Sequence, residues 1–569
     1  MIIQHPRVER DHRGGWILIF TVALCVRLVY LYEIRDFILF DHLIGDAAGY
    51  DAWGQRIAGG QWRPAEPFYQ APLYPYFMGC AYRLIGHRPD WLRVIQCVMG
   101  SASCIMVGVA ARHWFGFRAG CVAGMVAALY SPAIYFDGIV QKATLTFALM
   151  SALLLLVSRT SARCAGWHGA GVGVVAALLA LIRENALILL PILLIWTFVR
   201  PAAGRWKRVG TVACGAAIPF APVVAHNVAA GGGWTLTTVQ MGPNFYMGNH
   251  RGADGRYHAL VPGRETYEYE RIDAIRLAEG AVGRSLAPDE VSGYWFDRAL
   301  DDIRAEPAAW LGLMWRKWWL VWNRYENPDT ESYYVYREQS ALLRGLGCIF
   351  HFGTMVPFAA AGAVMTWHRR RELALPYAIG LAIAAAISVF YVFGRYRHPL
   401  APVVMLFAGA GLAEMWIAVA GRSFRRVAYA VAAGLAVAAI VNWPINPERE
   451  LNAGMLGNLG AVLAANGRLD DAMDCFERAV EDHPDAPRLR QFLADAMSLS
   501  GRYREAIPHY RAALRLDPDW PIADFNLAFA LEQCDLRQPA LDHYRRALER
   551  NPADSAAQEA VNRLTRDTR

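Results

Sequence analysis

"WILIFTVALCVRLVYLYEI", residues 16–34, is an apolar stretch long enough for one helix to cross a lipid bilayer. Nine more apolar runs follow it, at 91–112, 117–136, 140–158, 167–199, 209–228, 346–366, 375–392, 400–420 and 426–442. Charged and amide side chains at 183–185 interrupt the run at 167–199, so we divide this run into two passages. The pattern predicts an all-α, polytopic membrane domain of about eleven spans over residues 1–442.

The composition of the 569-residue chain supports a membrane protein. Hydrophobic residues make up 55% and charged residues 19% of the sequence, and the mean hydropathy is +0.19. The net charge is +7, but lysine and arginine gather in short clusters between the apolar runs, where they act as topology signals. The sequence has no basic-aromatic nucleic-acid motif, and its ten cysteines show no CxxC or zinc spacing. We therefore expect no nucleic-acid partner.

The basic clusters predict the orientation of the chain. Under the positive-inside rule they are cytoplasmic, provided that "APLYPYFMGCAYRLIG", 71–86, lies along the outer surface instead of crossing. The N-terminus is then cytoplasmic and begins an uncleaved anchor in a bacterial-type inner membrane. The outer, periplasmic side receives loops 35–90 and 229–345, the turn 393–399 and everything after 443.

The C-terminal part of the chain contains an internal repeat. Four kinds of position recur every 34 residues: Ala472/Ala506/Ala540, Phe476/Tyr510/Tyr544, Ala479/Ala513/Ala547 and Pro484/Pro518/Pro552. This period and pattern are typical of tetratricopeptide repeats, which stack as an α-solenoid and bind proteins. We predict a linker at 443–452, repeats at 453–486, 487–520 and 521–554, and a terminal helix. The repeats are expected to bind a protein partner, whose identity the sequence does not give.

The first outer loop contains two aspartates, in "IGDAAGYDAWGQRIAGG", 44–60. Asp46 has no adjacent lysine or arginine, so it is a candidate general base toward an acceptor hydroxyl. The structural alternative is a helix N-cap. Tyr50 shares its helical face, and Asp51 lies to the side as a candidate second acid or a solvated group.

Basic residues occur where the topology rule disfavours them. Lys142 follows Asp137, a further candidate catalytic carboxylate, at the next outer corner, and Arg183 interrupts an apolar run. A further three follow in "FGRYRHPLAP", 393–402, namely Arg395, Arg397 and His398. These five side chains are candidates for binding the phosphate of a substrate, and the alternative partner is lipid headgroups.

A loop rich in glycine and asparagine, "GPNFYMGNHRGADGRYH" at 242–258, is a candidate site for the sugar or the acceptor. Asn244, Tyr246 and Asn249 offer amide hydrogen bonds and an aromatic surface, and Tyr50 joins them from the first loop. A plain turn-rich loop has the same composition.

The order of these motifs resembles the GT-C superfamily of integral-membrane glycosyltransferases. The resemblance is to the family 39 kind, which includes protein mannosyltransferases and the lipid A aminoarabinose transferase, and it covers about 1–442. It rests on the early acid followed by "PLYPYF" (72–77), "YSPAIYFDGIVQKATL" (130–145), "LIRENALILLP" (181–191), "GPNFYMGN" (242–249) and "GRYRHPLAP" (394–402).

The resemblance implies a polyprenyl-phosphate-linked sugar donor, inversion at the anomeric carbon and no nucleotide sugar. Asp46 matches the first-loop acid, Lys142 and Arg183 match positions near the donor phosphate, and Arg395 matches the late arginine. The family often carries an acid where this chain has Gln141-Lys142, which leaves the role of Asp137 open. No cofactor is certain, and a divalent metal stays open because two nearby acids do not define a site.

Three alternatives compete with this interpretation. The first is an O-antigen ligase or polymerase-type transferase, whose key basic residues concentrate in one late outer loop. The second is a non-enzymatic, membrane-anchored scaffold that recruits partners through the repeats. The third is a transporter, which the position of the charges near one membrane face disfavours.

Overall fold

A computed structural model describes residues 13–159, 166–200, 204–261, 264, 267–445, 448–518 and 522–566. Within these ranges every regular element is a helix. The chain divides into two compact units. The first, the membrane unit, comprises Met1–Asp36, Leu43–Asn327 and Tyr336–Ile445. The second, the repeat unit, comprises Phe37–His42, Pro328–Val335 and Asn446–Arg569.

The α-helices are numbered in chain order. They are α1 (Arg13–Ile34), α2 (Ile38–Asp41), α3 (Gly45–Ala58), α4 (Leu73–Ile85), α5 (Pro89–Phe115), α6 (Phe117–Leu129), α7 (Ser131–Gly138), α8 (Ala143–Ser158), α9 (Trp167–Ile182), α10 (Leu189–Val199), α11 (Arg205–Ala229), α12 (Met241–Asn249), α13 (Tyr267–Val282), α14 (Pro288–Ala305), α15 (Pro307–Trp322), α16 (Tyr333–Gln339), α17 (Ala341–Gly347), α18 (Phe352–Met365), α19 (Ala374–Val389), α20 (Gly394–Arg397), α21 (Ala401–Ala420), α22 (Phe424–Val441), α23 (Glu448–Ala465), α24 (Leu469–Asp482), α25 (Pro487–Leu499), α26 (Tyr503–Leu516), α27 (Ala523–Gln533), α28 (Arg537–Arg550) and α29 (Ser555–Arg566).

The membrane unit contains the apolar helices that the sequence predicts. In the described part of the chain, six helical segments are long and apolar enough to cross a membrane, and α6 with α7 forms a further pair bent by 50°. Four shorter apolar helices add to them, at Ala143–Ser158, Trp167–Ile182, Glu184–Val199 and Ala374–Val389. These eleven segments confirm the predicted all-α, polytopic fold class. The predicted interruption at 183–185 is a break between α9 and a short 3-10 helix, Glu184–Ile188.

Helices α3 and α4 form a closely packed pair that carries the first-loop acids. A side chain on Gly79 would place its Cβ 2.5 Å from Ile57, and one on Gly54 would approach Met78 to 3.0 Å. Glycine at both positions therefore lets the two backbones approach. The stretch 71–86 is the short helix α4, which is not among the helices long enough to span.

The C-terminal part of the repeat unit contains the helix pairs α23/α24, α25/α26 and α27/α28, followed by α29. The first recurring alanine of each repeat is fully buried, and the recurring aromatics Phe476, Tyr510 and Tyr544 are at most 2% exposed. This burial matches the close helix approach that tetratricopeptide repeats require. Helix α23 begins at Glu448, within the stretch predicted as a linker.

Candidate active site

Asp46 lies in the first turn of α3, and its carboxylate is engaged by two other segments. Its Oδ2 forms an ion pair with Arg395 Nη1 at 2.5 Å, and its Oδ1 accepts a hydrogen bond from Gln70 Nε2 at 3.2 Å. The N-cap of α3 is Ile44, without a side-chain cap bond. The N-cap alternative for Asp46 is therefore wrong, because its side chain faces a basic residue far along the chain.

Three basic side chains gather around this carboxylate. Arg183 Nη2 donates to the Arg395 carbonyl at 3.3 Å, and its guanidinium lies 4.5 Å from the centre of the Tyr396 ring. Lys142 Nζ lies 5.9 Å from the centre of the Tyr50 ring, and both Lys142 and Arg183 interact electrostatically with Arg395. The structure thus brings together residues from four distant segments, as the motif order predicts.

The cations of this cluster are only partly paired with carboxylates. Lys142, Arg183 and Arg395 are three buried cations, and the carboxylates that interact with them electrostatically are Asp46, Glu184 and Glu270. Glu184 also accepts hydrogen bonds from two side chains of the 229–345 loop. Among the described residues, Lys142 Nζ makes no hydrogen bond or ion pair and lies over the Tyr50 ring, so it is available to bind an anion.

The ionisation of Asp46 is set by the same cluster. Burial by itself raises the pKa of a carboxyl group. For Asp46 the nearby charges of Arg395 and Lys142 and the hydrogen bond from Arg395 outweigh burial, so its pKa lies below the ordinary value. Asp46 is consequently ionised at neutral pH, and the Arg395 ion pair is what keeps it so.

Asp51 has its own set of partners, apart from the basic cluster. It accepts hydrogen bonds from Tyr82 and Gln55, both at 2.6 Å, and His87 Nε2 lies 3.0 Å from its oxygens. These contacts tie α3 to α4 and the turn after it. The geometry favours a structural role for Asp51 over that of a second catalytic acid.

Asp137 is buried in an ion pair with Arg27 of α1, with 2.7 Å between Oδ2 and Nε. A Cβ on Gly100 would lie 2.0 Å from this carboxylate, so α5 passes directly over the pair. Arg27 Nη1 also donates to two backbone carbonyls. The pair joins α1 to α7, which makes Asp137 a structural residue in our account and removes it from the proposed chemistry.

The Asp137→Asn substitution should therefore impair stability more than catalysis. It leaves Arg27 as an uncompensated buried charge, which costs about 3–5 kcal/mol. We expect a much lower yield and melting temperature of purified protein, while kcat of the folded fraction stays within about threefold of the wild-type value. A folded Asp137→Asn variant without turnover would instead restore Asp137 to the catalytic residues.

Arg397 and His398 lie beside the cluster and have other neighbours. Arg397 pairs with Glu326 at 2.6 Å, and its guanidinium lies 4.4 Å from the centre of the Phe352 ring. The His398 ring packs between Phe136 and Phe147, with centroid distances of 4.8 and 5.1 Å. These contacts fix the turn that presents Arg395, and they do not place either residue on the phosphate.

The candidate loop residues separate into two groups. Asn244 Oδ1 accepts a hydrogen bond from Tyr391 at 3.0 Å, which places it against the aromatic side chains next to Arg395. Tyr246 packs on Trp295, with a centroid distance of 4.7 Å. Asn249 is buried, and its Oδ1 accepts hydrogen bonds from Trp310 and Lys317. Tyr246 and Asn249 thus hold the loop together.

Sequence analysis missed Gln70, Tyr69 and Glu270. Gln70 contacts Asp46, while Tyr69 donates to Glu270 Oε1 at 3.2 Å. Gln70 directly precedes "APLYPYF", so its position beside a motif was a usable signal. Glu270 lies in α13 of the long loop, where no pattern distinguishes it from the other acids.

The described residues contain no group of three or more histidine, cysteine, aspartate or glutamate side chains arranged to hold a metal ion.

Comparison with protein families supports the assignment of both units. Residues 69–227 match the family model described as dolichyl-phosphate-mannose-protein mannosyltransferase, and residues 451–519 match the tetratricopeptide repeat model. A search of curated proteins gave no match. The matched segment 69–227 includes Lys142 and Arg183.

The solved structures that match parts of the chain include an oligosaccharyltransferase and several repeat proteins. ArnT from Cupriavidus metallidurans, bound to undecaprenyl phosphate, is 15% identical over 88% of this chain and 80% of its own, with a TM-score of 0.40. The Archaeoglobus fulgidus oligosaccharyltransferase is 14% identical over 77% and 55%, also with a TM-score of 0.40. The first tetratricopeptide domain of Spaghetti (RPAP3), bound to an HSP90 peptide, is 21% identical over 21% and 97%, with a TM-score of 0.20. These scores are too low to carry an argument about function.

The apolar helices and the two family matches indicate a class. The chain has the helices of a multi-pass membrane protein, and it carries one segment similar to membrane mannosyltransferases and another similar to tetratricopeptide repeats. The mannosyltransferase match favours a membrane glycosyltransferase over the ligase, scaffold and transporter alternatives.

Proposed function

We propose that the protein transfers a sugar from a polyprenyl-phosphate donor to an acceptor at the outer face of a bacterial-type cytoplasmic membrane. The observation that carries the proposal is the buried cluster of Lys142, Arg183 and Arg395 beside the carboxylate of Asp46. Guanidinium groups bind phosphate oxygens bidentately, and a buried cation without a partner calls for an anion. The basic clusters between the apolar runs support a cytoplasmic N-terminus.

In the proposed reaction Asp46 is the general base. Its carboxylate takes the proton of the acceptor hydroxyl as that oxygen bonds to the anomeric carbon of the donor. The bond from this carbon to the phosphate oxygen breaks, and its electron pair leaves with the polyprenyl phosphate. The three cations stabilise the leaving phosphate. Attack opposite the phosphate inverts the anomeric configuration.

The Asp46–Arg395 ion pair couples donor binding to the strength of the base. A donor phosphate competes with Asp46 for the Arg395 guanidinium. When Arg395 turns to the phosphate, Asp46 loses its main counter-charge, and burial then raises its pKa toward the operating pH. A carboxylate with a higher pKa is a better proton acceptor, so the base is activated only when a donor is present.

An apolar groove of about 760 Å³ in the membrane unit is suited to the isoprenoid chain of the donor. Its lining includes Trp318, Trp322, Leu400 and Val403. Leu400 follows Arg395 by five residues, and Trp322 directly precedes Asn323, whose carbonyl accepts a hydrogen bond from Arg397. The groove is therefore lined by residues that are close in sequence to the turn carrying Arg395.

Filling the groove should penalise long donors selectively. Ala360 and Ala363 of α18 line it, and phenylalanine at both positions displaces a part of the chain. We expect KM to rise about tenfold for a C55 donor and to stay unchanged for a C15 donor, because buried methylene groups contribute about 0.8 kcal/mol each. Val364→Phe, on the same helix but exposed and outside the groove, is the matched control. Equal effects on both donors would contradict the groove assignment.

The proposed phosphate site has a direct binding test. Native mass spectrometry of the full chain in nanodiscs compares undecaprenyl phosphate with undecaprenol, which differ only in the phosphate. We expect the phosphate to be bound at least about tenfold more tightly, since charge-assisted hydrogen bonds contribute about 1.5–3 kcal/mol each. Equal affinities would show that the basic cluster does not hold a phosphate.

The repeat unit, in the same proposal, binds a protein that brings or is the acceptor. Tetratricopeptide solenoids present a concave surface for protein segments. In this unit Asp495 accepts hydrogen bonds from Tyr510 and Asn526, at 2.6 and 2.8 Å, and so links neighbouring repeats. Deletion of 451–569 should leave donor hydrolysis intact and reduce transfer, and loss of donor binding in this variant would contradict an acceptor role.

A further inference from the structure

Glu270 is a partly buried carboxylate of the long loop, and it has no ion pair among the residues that the structure describes. Its Oε1 accepts a hydrogen bond from Tyr69 at 3.2 Å, and its Oε2 accepts one from Tyr257 at 3.0 Å. The adjacent Arg271 pairs with Glu66 instead. A carboxylate held in this way keeps free lone pairs, since each of its oxygens receives one phenolic donor.

The position of Glu270 relative to Asp46 follows from two adjacent residues. Tyr69 donates to Glu270, and its neighbour Gln70 donates to Asp46. The negative charge of Asp46 and the positive charge of Arg395 both act on Glu270. The Glu270 carboxylate therefore lies close to Asp46, on the side of Asp46 Oδ1, which Gln70 contacts. Arg395 contacts Oδ2, the other oxygen of Asp46.

An aromatic wall connects Glu270 to the basic cluster. Tyr391 packs against Tyr257, Phe393 and Tyr396, with ring centroids 5.2, 5.4 and 5.6 Å apart. Tyr396 in turn lies under the Arg183 guanidinium. A continuous series of ring contacts thus runs from Tyr257, which holds Glu270, to Tyr396 beside Arg183. Tyr257 and Tyr396 are partly exposed, whereas Tyr391 and Phe393 are buried.

We propose, on the basis of the proposed function, that Glu270 binds hydroxyl groups of the donor sugar and that the aromatic wall contacts the sugar ring. The sugar is bonded directly to the phosphate, so a phosphate at the basic cluster places it next to this wall. A carboxylate accepts hydrogen bonds from neighbouring hydroxyls, and aromatic rings pack on the apolar face of a sugar. Glu270 is then a residue that determines which sugar is accepted.

The subsite should depend on pH. Burial, together with the charge of Asp46, raises the pKa of Glu270 to about 7, although the hydrogen bonds from the two tyrosines and the charge of Arg395 oppose the shift. Above pH 7, Glu270 is thus ionised and can accept hydrogen bonds from two sugar hydroxyls. Below pH 7, it gains a proton. The charged and titratable groups that face Glu270 are Asp46, Tyr69, Tyr257, Tyr391 and Arg395.

The test measures how much more tightly the protein binds a sugar-bearing lipid phosphate than the same lipid phosphate without a sugar. The full chain in nanodiscs is titrated with undecaprenyl phosphate and with a panel of undecaprenyl-phosphate hexoses and pentoses, for the wild type, Glu270→Gln and Tyr257→Phe. Glu279→Gln, on the same helix, is the control. We expect Glu270→Gln to bind undecaprenyl phosphate within twofold of the wild type and the preferred sugar lipid about tenfold more weakly. In the wild type, the affinity gained from the sugar should decrease as the pH is lowered below 7. In Glu270→Gln this gain in affinity should not change with pH.

Each other outcome has a distinct meaning. Equal affinity of the wild type and Glu270→Gln for every sugar lipid overturns the subsite, and so does a wild type that gains no affinity from any sugar. Equal weakening of both lipids in Glu270→Gln also overturns it, since Glu270 then only supports the phosphate site. Failure of the wild type to bind undecaprenyl phosphate contradicts the proposed function itself.

Discussion

The Asp46→Asn variant is expected to bind the lipid phosphate and to lose transfer. An amide in place of the general base lowers kcat about 10²- to 10⁴-fold. The same change releases Arg395 from its ion pair, so the affinity for undecaprenyl phosphate should equal or exceed that of the wild type. The measurement is kcat with saturating donor, together with the dissociation constant of undecaprenyl phosphate, on the same nanodisc preparation.

Asp51→Asn is the control for this experiment. Asp51 lies on the same helix, but its partners are Tyr82, Gln55 and His87 and not the basic cluster. We expect a lower melting temperature and a nearly normal kcat in the folded fraction. Near-normal kcat in Asp46→Asn, or equal loss in both variants, would refute Asp46 as the base.

The Arg395→Gln variant, unlike Asp46→Asn, should bind the lipid phosphate weakly. Loss of a bidentate, charge-assisted contact costs about 1.5–3 kcal/mol, which corresponds to about a ten- to hundredfold weaker affinity. Arg395→Lys keeps the charge but not the planar fork, so we expect an intermediate affinity. Arg344→Gln, at an exposed site away from the cluster, should bind as the wild type does.

The pH profile of Arg395→Gln provides a second readout. Arg395 keeps the pKa of Asp46 low, so its removal lets burial raise that pKa. A base must be ionised to act, so the acidic limb of the kcat/KM profile, which reports the free enzyme, should move to higher pH. An unchanged limb would mean that the ion pair does not control the base.

The sequence predicts the helices and repeats because their signals are local. Apolar runs and a 34-residue period are visible without knowledge of distant contacts. Lys142, Arg183 and Arg395 also stood out locally, since a charge in an apolar run or at a disfavoured membrane face is costly. Their grouping around Asp46 was expected from motif order, and the structure brings them together.

The contacts between side chains that are distant in sequence could not be predicted from the sequence. Arg27 and Asp137 are 110 residues apart, and neither position reveals that α5 has a glycine between them. Glu270 is one of many acids in a polar loop, and only the folded chain shows that Tyr69 and Tyr257 hold it near Asp46. Such roles depend on tertiary contacts, for which a single sequence carries no periodic signal.

The central claim is that a lipid-phosphate sugar is the donor and Asp46 the base. Its most direct test measures the release of free polyprenyl phosphate from a panel of polyprenyl-phosphate sugars by the purified chain in nanodiscs, beside a panel of nucleotide sugars. We predict donor-dependent release from at least one lipid-linked sugar, no turnover of nucleotide sugars and no release by Asp46→Asn. Release by both proteins at equal rates, turnover of a nucleotide sugar, or no release from any lipid donor would contradict the account.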